Sequence, residues 1–286
     1  MTSAMAGTLA QRIEARVQDQ DFKLPVFNPV AVKLHKLLQS DANMAAVEAL
    51  IIKDAGLASE VLRKANTAYF AGLKPAEELR PALVRLGISR VLSVAMMASQ
   101  EQAFKARDVR LTAAMNRLWL HSMVSAVTAR KVAEMSGARQ EAEVAFLCGL
   151  LHDLGSLVII KVLDEMAAAG ELEEIHDGVL TELLDLLHTD FGYKVISSWG
   201  LPKVYAEVAR DHDLAPREGQ TMLDIVRLVD AALRVRGVGQ RPDPDLPIAE
   251  FEETRRVGLE PEQVEELLEF VTEAQEKALS TAVGRG

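Results

Sequence analysis

Cysteine is nearly absent. Cys148 is the only one in 286 residues, so no disulfide can form within the chain, and its setting in the apolar run AFLCGLL reads as a small buried hydrophobe. Aromatic residues are also scarce, at 5 %, which leaves an aliphatic core. Basic residues are outnumbered: 32 Lys and Arg stand against 42 Asp and Glu, for a formal net charge of -10. Such a surface repels nucleic acid at long range. Neither a Cys/His finger spacing nor aromatic–basic interleaving is visible, so direct nucleic-acid binding is not expected. The start, MTSAMAGTLAQRIEAR, lacks the basic head and apolar run of a signal peptide. The most apolar segments are interrupted by charge before they reach bilayer length. No membrane span and a cytoplasmic location are therefore expected. Period-two alternation over a useful length is missing as well, which argues against strands.

What the chain does have is 49 % hydrophobic residues, mostly Ala, Leu and Val set among Glu, Arg and Gln. This mixture favours helix. Residues 1–20 read as a leader or helix, and FKLPVFNP after them as extended chain. Residues 21–110 read as a unit of short helices. Asn43 is placed to cap one of them, Gly56 and Gly87 interrupt the pattern, and Tyr69 and Phe70 are candidate core anchors. Residues 111–235 form a second helical unit. It begins with a long helix to about Met135, and later helices are expected over Leu180–Leu187, Phe191–Trp199, Val204–His212 and Met222–Leu233. Residues 236–286 form a C-terminal extension: the Gly/Pro-rich loop GVGQRPDPDLP, then a helix from Pro261 with Val264, Leu267, Leu268 and Val271 facing inward.

The sharpest chemical signal is His152-Asp153, a polar pair within the otherwise buried run CGLLHDLGSL. Burying such a pair is costly without partners or a metal. His121 lies one helix earlier, and His188, His212 and Asp230 lie on three later ones. Imidazole and carboxylate donors suit Fe, Mn, Zn, Ni or Co and do not single out one. One or two metals so held would activate water and screen the charge of a phosphate ester. The same residues could equally form a hydrogen-bonded network with no metal.

A resemblance sharpens this picture. HSMVSAVTARKVAEMSG and EVAFLCGLLHDLGSLVI resemble the start of the HD superfamily core, whose members include metal-dependent phosphohydrolases. HTDFGYKVISSWGLPKVYAEVARDHD and MLDIVRLVDAAL are similar to its continuation in the HDOD and HD-GYP branches. KLPVFNPVAVKLHKLLQSDANMAAVEALIIKDAGLASEVLRKANTAYF and ELRPALVRLGISRVLSVAMMAS resemble the N-terminal half of HDOD proteins. The resemblance spans roughly residues 20–235. It implies an all-α, compact helical bundle with an HD-type core in the C-terminal half, and a regulatory or signalling role. It implies metal ligands at His121, His152, Asp153, His188, His212 and Asp230. Two departures stand out. The second residue of the family's paired histidine is Asp213, leaving that ligand missing or replaced by a carboxylate, and Ser156 follows the HD-x-G run where HD-GYP enzymes carry lysine. The GYP tripeptide is absent, so cyclic-di-GMP hydrolysis is not expected.

Outside this set, Asn66 reads either as a ligand or partner contact or as a helix cap bonded to backbone. Trp199 reads either as a pocket wall or as a packed turn. His35 reads as a surface or half-buried helical residue. The resulting expectation is a regulatory module that binds signalling proteins or a ligand, without catalysis. The alternative is a metal-dependent phosphohydrolase, with Asp153 bridging two metals or orienting the attacking water. A nucleotide or phosphate sensor that does not cleave is a third reading.

Overall fold

The computed structural model describes residues 2–18, 29–38, 43–67, 75–100, 103–172, 175–215, 219–239 and 241–283. Tyr69, Phe70 and most of FKLPVFNP lie outside the described residues. All regular structure among the described residues is helical. The chain divides into two compact units: residues 1–25 with 104–275, and residues 26–103 with 276–286.

The smaller unit holds α2 (Pro29–Leu38), α3 (Met44–Ile51), α4 (Ala55–Ala65), α5 (Leu79–Leu86) and α6 (Ile88–Gln100). Asn43 caps α3 by accepting from the Ala46 amide at 3.0 Å. Asp54 caps α4 through the Leu57 amide at 2.9 Å, so Gly56 sits inside the first turn of a helix rather than breaking one. An N-terminal cap satisfies an amide that otherwise lacks a partner, and this offsets the glycine's weak helix propensity. Gly87 does end α5, with φ at 75°, a conformation that side chains with a Cβ resist. The chain then bends by 117° into α6. Met96 and Met97 fill the core. His35 is buried here, at 7 % exposure, and not at the surface, and burial lowers its pKa.

The larger unit carries the histidine–aspartate residues. It comprises α1 (Thr2–Gln18), α7 (Val109–Met135), α8 (Ala142–Leu151), α9 (Leu154–Ala168), α10 (Asp177–Ser198), α11 (Lys203–Asp211), α12 (Thr221–Val235), α13 (Glu252–Val257) and the first part of α14 (Pro261–Val283). At the centre is α7, buried at every position from His121 to Arg130, as a helix packed on all sides must be. Its start is fixed twice. Asp108 caps it through the Arg110 amide at 2.8 Å. Asp164 of α9, itself 4 % exposed, accepts from the Arg107 and Asp108 amides at 2.9 and 2.8 Å.

Helix α8 packs along α7, α9 along α10, and α12 along α7. Arg139–Ala168 is long and apolar enough to cross a membrane, but 89 % of its apolar window is buried inside the protein. It is core: Cys148, Leu150, Val158 and Ile159 are all at 1 % exposure or less, and burial pushes the Cys148 thiol's pKa up. Two expectations are corrected here. His152-Asp153 does not interrupt a single buried helix but separates α8 from α9. Residues 180–187 and 191–199 are not two helices but parts of the 22-residue α10.

Candidate metal centre

Three helices, the α8–α9 break and the end of α11 bring the predicted residues together at one cleft. His121 comes from the middle of α7, and His152 and Asp153 from the α8–α9 break. His188 comes from α10, His212 and Asp213 from just past α11, and Asp230 from α12. Two glycines allow this approach. A Cβ on Gly149 would lie 2.6 Å from the Ser125 carbonyl oxygen, so glycine there lets α8 press against α7. A Cβ on Gly155 would lie 1.7 Å from the His188 carbonyl oxygen, so only glycine lets α9 meet α10 beside the ligands.

The rings are oriented by main chain. His152 Nδ1 donates to the Gly149 carbonyl at 2.9 Å. His188 Nδ1 donates to the Leu184 carbonyl at 2.7 Å, and His212 Nδ1 to the Ala209 carbonyl at 3.0 Å. A histidine whose Nδ1 carries the donated hydrogen turns a bare Nε2 lone pair inward, as metal ligation requires. His121 Nδ1 is buried and has no partner among the described residues; Gly239 packs against it, where a Cβ would lie 3.0 Å away.

The inward atoms form two groups that share Asp153. On one side, His121 Nε2 lies 3.1 Å from His152 Nε2, 3.3 Å from Asp153 Oδ2 and 3.6 Å from Asp230 Oδ1. On the other, His188 Nε2 lies 3.3 Å from His212 Nε2. Asp153 Oδ1 is 3.7 Å from His188 Nε2 and 3.4 Å from His212 Nε2. Asp213 Oδ2 is 3.2 Å from His188 Nε2. Ligand atoms around a divalent ion with bonds near 2.1 Å stand roughly 3.0–3.4 Å apart. Five of the seven separations fall in that range and two carboxylate contacts, at 3.6 and 3.7 Å, lie just outside it, and two bare nitrogens facing each other at such a distance need a cation or a proton between them. The donor set therefore fits divalent transition metals, of no one identity.

In the absence of metal the charges settle in a definite pattern. Burial drives the His152 pKa down to about 3, with His212 and His121 adding to it. His188 goes the other way. Burial opposes its charge, but the hydrogen bond to Asp213 and the charges of Asp153 and Asp213 hold it up at about 9. His212 is raised against burial by Asp153. Burial works to raise Asp153, yet four surrounding imidazoles bring it well below the ordinary carboxylate range. Burial raises Asp230.

The cleft has a volume of about 130 Å³ and opens to solvent. Besides the ligand set, its walls include Arg117, Ser156, Asp185, Arg234, Gly239 and Arg241. The sequence reading missed the arginines and Asp185. Their signal was spacing, since Arg117 stands four residues before His121 and Arg234 four after Asp230. Two other predicted residues lie elsewhere. Trp199 forms the C-cap of α10 and does not line the cleft. Asn66 belongs to the smaller unit, where it exchanges two 2.8 Å hydrogen bonds with the Ala76 backbone and accepts a third from Arg85 at 3.0 Å.

A family model of the HDOD domain matches residues 24–215. The chain belongs to the HDOD family. HDOD-like architecture is also seen in solved structures. A candidate metal-dependent phosphohydrolase from Shewanella amazonensis superposes with a TM-score of 0.71 at 19 % identity, covering 95 % of this chain and 98 % of that one. An HDOD domain protein of unknown function from Geobacter sulfurreducens gives a TM-score of 0.70 at 19 % identity, covering 94 % and 97 %. At these identities the likeness is one of fold. An uncharacterised Treponema pallidum protein is 21 % identical over 249 residues, 84 % of this chain. The chain spans about half that relative's length, 48 %. Within the HDOD frame, the departure at Asp213 does not leave an empty corner, because its carboxylate reaches His188.

Proposed function

We propose that this HDOD protein binds two divalent metal ions in the cleft and hydrolyses a phosphoester there as part of a regulatory pathway. The observation that carries this reading is the division of Asp153: each carboxylate oxygen faces its own pair of imidazole nitrogens. A bridging carboxylate between two imidazole pairs is a binuclear ligand set. His121, His152 and Asp230 complete the set on one side, and His188, His212 and Asp213 on the other. These residues would hold divalent ions, whose chemistry there would be Lewis acidity toward a phosphoryl oxygen and activation of water. The chain's own residues do the rest. The backbone-anchored imidazoles fix the ligand directions, so little reorganisation is needed on binding. Asp213, 60 % exposed at the cleft mouth, accepts a hydrogen bond from His188 and stabilises its protonated form.

Elemental analysis of protein purified without chelator or affinity-tag metal tests the reading. Near-stoichiometric Fe, Mn, Zn, Ni or Co, with phosphoester turnover that disappears in His152→Ala, supports it. No metal after anaerobic reconstitution overturns it.

One observation favours a second reading. With His188 protonated, its 3.2 Å contact with Asp213 closes the second group as a satisfied network without metal. On that reading the domain acts by contact with a signalling protein or by holding a nucleotide or phosphate ligand, without catalysis. Metal-free protein that keeps its fold and still captures such a partner is the outcome it predicts.

A further inference from the structure

We propose that the cleft contains a second anion subsite one helical turn outward from the metal ligands. Formed by Arg117 and Arg234, it would receive a further phosphate of a substrate that carries at least two, such as a nucleoside diphosphate or a dinucleotide. The inner phosphate position rests on the reading above; the outer one rests on the arginines alone.

The placement follows from helix geometry. Arg117 and His121 are four residues apart on α7, and Asp230 and Arg234 four apart on α12. Residues at that spacing share a face, about 5–6 Å apart. Helices α7 and α12 pack together, and both arginines line the same cleft as the ligands. Each arginine thus sits one turn along its own helix from a candidate ligand and lines the same cleft. Arg117 is exposed at the cleft and makes no hydrogen bond or ion pair among the described residues. A planar guanidinium pairs two hydrogen bonds with phosphate oxygens, which a lone ammonium does not.

The C-terminal extension completes the subsite's wall. Arg234 Nε donates to the Arg241 carbonyl at 3.2 Å, and the Asp243 amide donates to the Arg234 carbonyl at 3.0 Å. Arg241 in turn pairs with Asp185 of α10, three residues before His188. This pairing neutralises Arg241 and fixes the segment against α10, while Gly239, at φ 115°, lies against His121. Arg117 is then the cleft arginine without a carboxylate partner among the described residues, and Arg234, with Asp243 at 3.6 Å, would share its guanidinium between that carboxylate and an incoming anion. Three arginines and four aspartates line the cleft, so the forked donor geometry of the guanidinium groups, not the net field, would select a phosphate.

Calorimetric titration of the full chain with inorganic phosphate tests this, on chelator-treated and on metal-loaded protein. Chelated wild-type protein should bind one phosphate. Arg117→Ala/Arg234→Ala should weaken that binding by roughly tenfold or more, Arg117→Lys should weaken it less, and Lys131→Ala, whose ammonium pairs with Glu266 outside the cleft, should leave it unchanged. Metal-loaded wild-type protein should bind a second phosphate, which His152→Ala removes. No phosphate binding by chelated wild-type protein, or equal affinity in the double arginine variant, overturns the subsite. So does a metal-loaded protein that binds one phosphate irrespective of the arginines. A chain that takes up no metal yet keeps arginine-dependent phosphate binding retains the subsite and loses the hydrolase reading. Circular dichroism checks that each variant is folded.

Discussion

A Cβ placed on Gly155 would lie 1.7 Å from the carbonyl oxygen of His188. This contact is backbone against backbone, so no rotamer change relieves it. It ties the residue after the His152-Asp153-Leu154 run to the helix that carries a histidine of the opposite group. Gly155→Ala should therefore push α9 and α10 apart at the site, costing about 3 kcal/mol or more of stability by overpacking. Metal uptake should fall with it. Thermal unfolding and elemental analysis of the variant check both; wild-type stability would show that the helices can separate freely.

Asp153 makes the two halves of the cleft unequal in their dependence on single residues. His152→Ala removes a donor from one group and His212→Ala a donor from the other, so each should lower metal content by one equivalent out of two. Asp153→Ala removes an oxygen from both and should lower it to near zero. Inductively coupled plasma measurement on reconstituted protein checks this. Equal loss in all three variants would mean a single shared ion.

Much of this arrangement is legible in the sequence because polar residues in apolar runs are conspicuous. His152-Asp153 stands out in an apolar run, His121, His188, His212 and Asp230 lie on or beside amphipathic helices, and the structure brings them together. What pairs with what is less legible. Asp213 reads either as a missing ligand or as a carboxylate in its place, and the turn after α11 brings that carboxylate to His188. Gly192 falls in the second of two short helices expected over this stretch. In the structure it lies inside α10, with the Gly155 amide and the Ala209 methyl each 3.4 Å from where its Cβ would be, a tertiary reason that local preference does not carry. The segment bearing Gly239 and Arg241 has no periodicity at all, so nothing local indicates that it lines the cleft.

The His188–Asp213 pair predicts a pH signature in metal-free protein. His188 is held up at about 9, above its ordinary value, so its contribution to stability is complete below about pH 6.5 and disappears as pH rises through 9. Asp213 is lowered by the same hydrogen bond, so its contribution is present above about pH 4 and lost as pH falls further. Wild type should thus exceed Asp213→Asn in melting temperature between roughly pH 4 and 9, with the gap closing above that range. Melting curves in chelator across this range check the prediction, and a gap that persists undiminished at pH 10 would count against the pair.

Arg227 connects the C-terminal extension to the second ligand group. Its Nε donates to the His212 carbonyl at 2.9 Å and its Nη2 to the Asp211 carbonyl at 3.1 Å. Its Nη1 lies 3.7 Å from Glu253 of α13. Glu253 and Arg227 are largely buried, and Arg256 joins them through Asp224 at 2.9 Å. The guanidinium thereby holds the turn that presents His212 and Asp213, and it does so without touching the cleft. Arg227→Met should cost about 1.5–3 kcal/mol, the worth of hydrogen bonds from a charged donor to carbonyls that then lack a partner. It should also weaken metal binding at the His188–His212 group and leave the His121–His152 group intact. A two-step metal titration followed by calorimetry separates the cases. Selective loss of one step fits a positioning role, equal weakening of both fits general destabilisation, and Arg227→Lys should recover part of the selective loss only if the charge at this turn is what matters.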